Sequence, residues 1–290
     1  MISKLSRRTL LAAGLPLLLT GCTRLGAFNA VVSFDEGTKL LGDGLSFGPH
    51  DRQKLDLYGP AKGGPAEGGP APLVVFLYGG SWNSGRRQDY AFVGHALAAA
   101  GFYVAIPDYR LVPEVTYPAF LEDNAAALAW CLAEGERFGA ETNKVFLAGH
   151  SAGAYNAVML GLAPEFLEPH GLTPDRIAGI AGLAGPYDFL PLKWRATKRA
   201  FAGASDLEAT QPVNRVGPDA PPLFLASGED DSTVLPKNSA NLAQAARAAG
   251  VPVVEKRYPD IGHAGLLLAL SKPLRDSAPV LADMTAFLRA

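Results

Sequence analysis

Cysteine is nearly absent from this 290-residue chain, which has two, Cys22 and Cys131, so a disulfide framework is excluded as the source of its stability. Charge is sparse as well. Charged residues make up 19% of the chain and the formal net charge is −2. There is no basic field of the kind that displaces counterions from a phosphate backbone, and nucleic-acid binding is excluded as a leading function. A long apolar run near the N-terminus is missing too: the stretch from Leu10 to Leu19 is interrupted by Gly14 and Pro16. Spanning a bilayer takes roughly 20 apolar residues, so no permanent transmembrane helix is expected there. No internal repeat, phosphate-binding glycine loop, dinucleotide fingerprint or clustered metal-ligand motif occurs, and neither a cofactor nor a metal is expected. Apolar residues are plentiful, at 48%. That is enough to build a substantial core in one large α/β domain.

Lys4, Arg7 and Arg8 ahead of the short apolar run mark residues 1–21 as an export signal. SRRTLL at 6–11 resembles a twin-arginine signal, with general secretion as the other route. LTGC at 19–22 resembles the lipobox that is cut before a cysteine destined for lipid modification. An acylated Cys22 carries two kinds of lipid attachment, which is what stable anchoring requires. The expected location is therefore the bacterial cell envelope, with the exported chain lipid-anchored to a membrane and facing the periplasm where the envelope has two membranes. A plain cleaved signal, with Cys22 incidental, is the alternative. Residues 22–45 then read as a tether and N-terminal segment, and residues 46–290 as the one large α/β domain. Cys131 lies in an alanine-rich helical stretch and reads as a small buried apolar residue.

Beyond residue 50, strand and helix patterns alternate. Strand candidates are 53–59, 73–78, 102–109, 144–149, 177–185, 222–228 and 252–258, most of them too continuously apolar to be half exposed. Helical patterns lie near 89–100, 119–138, 152–162, 236–249 and 276–289. Such alternation implies a mostly parallel sheet with right-handed crossovers and helices on both faces. The Gly/Pro-rich stretch 59–72 reads as a surface loop, and 186–221 as a short cap excursion over the ligand-binding edge of the sheet. Within that excursion, FLPLKWRATKRAF at 189–201 spaces Leu190, Trp194 and Phe201 as an amphipathic helix packing on the core, with Lys193, Arg195, Lys198 and Arg199 elsewhere on it. Attraction of anionic lipid or acidic acyl groups to those four basic residues is the other reading.

Ser151 stands between Gly149 and Gly153 at the junction of an apolar strand and a run of small residues. This is the G-x-S-x-G pattern of a strained strand–turn–helix reversal, and it delivers the serine to the ligand-binding edge of an α/β sheet. A serine hydroxyl needs a base and a group to orient that base. Of the five histidines, only His263, in DIGHAG, follows both the serine and a plausible acid. The acid comes from LASGEDDSTV (225–234): Asp231 fits D-x-x-V, Asp230 is the runner-up, and Glu229 reads as a turn or solvated residue. Backbone donors for an oxyanion are expected from Gly80 and Ser81 in LYGGSWNSG (77–85) and from Ala152 beside the serine. Trp82, Tyr155 and Tyr187 flank these loops and are the substrate-pocket candidates, with Phe189 beside them.

YGGSW resembles the HGGxW or HGGG loop, and PDYRLVPEVTYPAFLED (107–123) the YRLxPExxFPxxxED segment, while GHSAG, GEDDSTV and GHAG complete the set. Together these five motifs, spread over roughly residues 50–290, resemble α/β-hydrolases of the carboxylesterase type, near the hormone-sensitive-lipase-like and kynurenine-formamidase-like branches. The resemblance implies an α/β-hydrolase fold and cleavage of small-molecule carboxylic esters through a Ser151–His263–Asp231 acyl-enzyme mechanism. An arylformamidase and a catalytically silent binding protein on the same fold are the alternatives. One position departs from the pattern: Tyr78 replaces the histidine that heads the oxyanion loop, and its hydroxyl is expected to brace the loop in that residue's place.

Overall fold

The computed structural model describes residues 24–61 and 71–290. The export signal, Cys22 and most of the Gly/Pro-rich loop lie outside the described residues. Eight strands form one sheet: β1 (Thr38–Ser46), β2 (Lys54–Pro60), β3 (Ala71–Leu77), β4 (Tyr103–Pro107), β5 (Ala140–His150), β6 (Ile177–Leu183), β7 (Leu223–Gly228) and β8 (Val253–Tyr258). Their order is β1-β2-β4-β3-β5-β6-β7-β8. The β1–β2 and β2–β4 pairs are antiparallel, and every other neighbouring pair is parallel. The central strands are buried almost throughout, which is why they read as unbroken apolar runs.

Helices cover the sheet: α1 (Arg24–Val31), α2 (Ala91–Ala99), α3 (Ala119–Glu134), α4 (Ala152–Leu162), α5 (Arg195–Ala200), α6 (Lys237–Ala248), α7 (His263–Leu268) and α8 (Val280–Phe287). Every residue of α4 is buried, as expected of a helix apolar all round and enclosed by the core. It can sit so close to the sheet because a Cβ on Gly153 would fall 2.0 Å from the Leu77 carbonyl oxygen.

The 22–45 stretch expected as a tether and N-terminal segment contributes α1 and most of the edge strand β1, so ordered structure starts well before residue 46. The expected helix over 189–201 is also shorter. Only Arg195–Ala200 is helical, and Leu190 lies in the irregular chain before it. Trp194 is mostly exposed at the helix N-cap position, whereas Ala200 and Phe201 are buried. Packing of this cap therefore rests on the end of the helix rather than on a continuous stripe.

Candidate active site

Four strand ends converge on one edge of the sheet. Ser151 follows β5 with φ 56° and ψ −124°, a left-handed conformation that favours glycine. The flanking glycines make it possible, since a Cβ on Gly149 would meet the Gly153 carbonyl oxygen at 2.4 Å. The Ser151 amide donates to the Leu183 carbonyl at 2.9 Å and ties the turn to β6. His263 is the first residue of α7, one step beyond the loop it was expected to occupy. Asp231 lies three residues after β7.

These three side chains form a continuous relay. His263 Nε2 lies 2.9 Å from Ser151 Oγ, and His263 Nδ1 lies 2.7 Å from Asp231 Oδ2. The other carboxylate oxygen, Oδ1, accepts the amides of Thr233 at 2.9 Å and Val234 at 2.8 Å. Burial pushes the Asp231 carboxyl up, but the His263 hydrogen bond and those amides outweigh it and hold the group below its ordinary value. The acid and histidine loops are also joined through their backbones: the Asp230 amide donates to the Ile261 carbonyl at 3.1 Å, and a Cβ on Gly228 would meet that same oxygen at 2.0 Å. Asp230 and Glu229 are exposed, so of the three acids only Asp231 joins the relay.

The oxyanion-loop residues sit across from the serine. Gly80 has φ 128°, Ser81 φ 51° and Trp82 φ 57°, and the Gly80 carbonyl accepts the amides of Asn83 and Ser84, which curls the loop tightly. Ala152 opens α4, where the first helical amides have no intrahelical partner and face the serine's side of the turn. Tyr78 is fully buried, stacked between Tyr90 and Tyr109 at centroid distances of 5.1 and 4.8 Å. Its hydroxyl donates to Asp108 Oδ1 at 2.7 Å and accepts from Arg52 Nη2 at 2.7 Å. Arg52 continues to the carbonyls of Gly85 and Tyr109, and Asp108 to Arg87. The expected brace is therefore present, but Arg52, distant in sequence, escaped the sequence reading.

Two cavities open onto Ser151. One, of about 500 Å³, is lined by Ser81, Trp82, Ala152, Phe189, Lys193 and Lys237, among others. The second, of about 390 Å³, includes His263 and Gly80 in its walls. Trp82 and Phe189 thus take the pocket positions expected of them, and Trp82 Nε1 donates to Asn156 at 2.9 Å. Tyr155 and Tyr187 do not line either cavity. Tyr155 is fully buried behind Trp82, edge-on to it at 5.3 Å, with its hydroxyl donating to the Thr210 carbonyl. Tyr187 is fully buried over Gly182 and Gly185, whose missing side chains make room for its ring.

His150 precedes Ser151 inside the elbow, so it does not meet the chain order expected of the base. It instead reaches the base: its Nε2 donates to the His263 carbonyl at 3.0 Å, and the two rings lie 4.7 Å apart. Burial first, and His263 second, push its pKa down to about 3, so it is neutral near pH 7. Its place inside the elbow was the available signal.

The BD-FAE family model matches residues 55–246. Carboxylesterase NlhH of Mycobacterium tuberculosis is 30% identical over 222 residues, covering 70% of this chain and 69% of that protein. Esterase LipC of the same organism is 27% identical over 200 residues, covering 61% of this chain and 49% of that protein. Isoprenylcysteine alpha-carbonyl methylesterase ICME of Arabidopsis thaliana is 26% identical over 260 residues, covering 82% and 60%. The chain thus spans about half to three-fifths of the length of LipC and ICME. Among solved structures, esterase B from Lactobacillus rhamnosis in an inhibited form superposes with a TM-score of 0.78 at 23% identity, covering 91% of this chain and 90% of that one. A bacterial heroin esterase gives 0.73 at 22% identity, covering 92% and 89%.

Proposed function

The chain belongs to the BD-FAE family, and we propose that it is a serine esterase that hydrolyses carboxylic esters of small to medium acyl groups. The observation that carries this reading is the unbroken relay from Ser151 Oγ through His263 to Asp231, at 2.9 and 2.7 Å. In the first step Oγ attacks the ester carbonyl carbon as His263 Nε2 takes its proton. Asp231, held ionised, orients the ring and stabilises the imidazolium. The carbonyl oxygen gathers negative charge, and the amides of Gly80, Ser81 and Ala152 receive it. The tetrahedral intermediate then collapses: the C–O bond to the alcohol breaks, and His263 gives that oxygen its proton. Water, deprotonated by His263, attacks the acyl-enzyme carbonyl; the bond to Ser151 Oγ then breaks, His263 returns the proton to Oγ, and the carboxylic acid leaves. The 500 Å³ cavity falls within the size range of small-molecule pockets and is of a size to hold such an acyl group. Export and lipid anchoring through Cys22 at the bacterial cell envelope belong to the same proposal, supported by the LTGC motif.

Treating the purified protein with a fluorophosphonate and mapping the adduct by mass tests the chemistry. A single adduct on Ser151, lost in Ser151→Ala and His263→Ala, is the expected result, with simple esters turned over faster than N-formyl aryl amines. A folded protein that takes no label would overturn the reading in favour of a silent binding protein.

A further inference from the structure

The second cavity beside Ser151 has a wall from outside the family-matched range 55–246. Leu25 and Phe28 of α1 face Tyr90, Leu267 and Leu268 across a space of about 390 Å³ that reaches Ser151 and His263. Helix α1 is fastened there. Its Asn29 Nδ2 donates to the Gln88 carbonyl at 2.9 Å, its Asn29 Oδ1 accepts the Phe92 amide at 3.1 Å, and Phe28 meets Phe92 edge-on at 5.5 Å. Leu25, Phe28, Asn29 and Val32 recur at helical spacing and are half-buried, whereas Val31 points outward and is exposed.

The chemistry assigns this cavity to one arm of the substrate. His263 must hand its proton to the leaving oxygen, and His263 lines this cavity but not the 500 Å³ one. The lining also differs in character. Lys193, Lys237 and Asp188 border the larger cavity, whereas among the described residues the smaller is lined by no Asp, Glu, Lys or Arg, and His150 there is neutral. We infer that α1 completes an apolar subsite for the leaving alcohol, in which Leu25 and Phe28 select hydrocarbon alcohols over small polar ones. This rests on the esterase reading above. Transfer of each methylene from water into such a site is worth about fourfold in affinity.

The test holds the acyl group fixed and varies the alcohol on the full chain. For the wild type, kcat/KM for hexyl acetate should exceed that for ethyl acetate by about 10-fold or more. Leu25→Trp, which fills the cavity, should bring that ratio down about 10-fold. Phe28→Leu, which widens the cavity while keeping it apolar, should raise the ratio of benzyl to ethyl acetate about threefold. Changes of opposite sign in the two variants cannot come from damaged folding. An unchanged hexyl-to-ethyl ratio in Leu25→Trp would overturn the subsite, and so would a shift confined to ethyl hexanoate over ethyl acetate, which would give the cavity to the acyl arm. A wild type inert toward every one of these esters would instead overturn the esterase reading, and the subsite with it.

Discussion

Tyr78 shows how one side chain can serve a site it never touches. Its ring is stacked between two tyrosines, and its hydroxyl joins the Asp108 carboxylate to the Arg52 guanidinium beneath the oxyanion loop. Tyr78→Phe keeps the stacking and removes only the joint. Removing an oxyanion donor outright typically costs on the order of 100-fold or more, so loosening the loop proposed to carry two donors should cost about 10-fold in kcat, with a smaller change in KM. Steady-state kinetics on one ester measures both, and an unchanged kcat would mean the ring alone positions the loop. His150 carries a different liability. Its pKa in the fold is about 3 against an ordinary 6.5, so between these values the unfolded chain binds a proton that the native chain does not. Stability should therefore fall as pH drops from 6.5 toward 3, by up to about 1.4 kcal/mol per pH unit from this residue. Asp231, held below its ordinary carboxyl value, adds a further loss at the lower end of that range, where acid protonates it. In His150→Gln the slope between pH 6.5 and 4.5 should flatten, and urea midpoints across that range would show it. A slope equal to the wild type's would remove His150 as the cause.

At the scale of elements, the cap and the acyl side of the site are held by one aromatic cluster. Phe201, just after α5, lies 5.0 Å from Trp82, 5.4 Å from both Tyr155 and Phe189, and 5.6 Å from Tyr117, ring centre to ring centre. Phe201→Ala should cost about 3–5 kcal/mol, a fall of about 5–9 °C in melting temperature for a chain of this size. It should also weaken substrate binding, because Trp82 and Phe189 lose their backing. A thermal melt beside KM values checks both, and a KM unchanged in a destabilised protein would separate cap packing from the pocket. This cluster also marks where the sequence was hard to read. The inner strands announced themselves because burial on both faces demands unbroken apolar runs. β1 did not: TKLLGDGLS has two glycines, irregular pairing with β2 and no fully buried residue, so nothing forces a recognisable pattern on it. Ser151, His263 and Asp231 were legible because their chemistry fixes residue type and chain order. Tyr155 and Tyr187 were not separable from pocket residues, since an aromatic near a catalytic loop looks the same in sequence whether it faces the cavity or backs the residue that does. α1 escaped notice for the related reason that its role depends wholly on what it docks against.

For the whole molecule, the place where α1 docks would join the proposed anchor to the chemistry. Leu25 walls the cavity that reaches Ser151 and His263, and it follows Cys22 by three residues, a distance the chain can span with at most about 10 Å. If Cys22 carries lipid, the leaving-alcohol side of the site opens close to the membrane surface, and an ester whose hydrocarbon part lies in the bilayer can enter without first crossing water. A soluble ester gains nothing from that proximity. Cys22→Ser should accordingly move the protein from the membrane to the soluble fraction and leave kcat/KM on ethyl acetate within about twofold, because residue 22 contributes no group to the relay. On long-chain acetates held in vesicles the same variant should lose about 10-fold in rate at equal enzyme concentration, since the effective concentration supplied by the tether is gone. Fractionation and the two rate assays on one preparation check all three outcomes. Retention of Cys22→Ser in the membrane would overturn the anchor, and a vesicle rate unaffected by its release would show that the cavity's position near the tether confers no advantage.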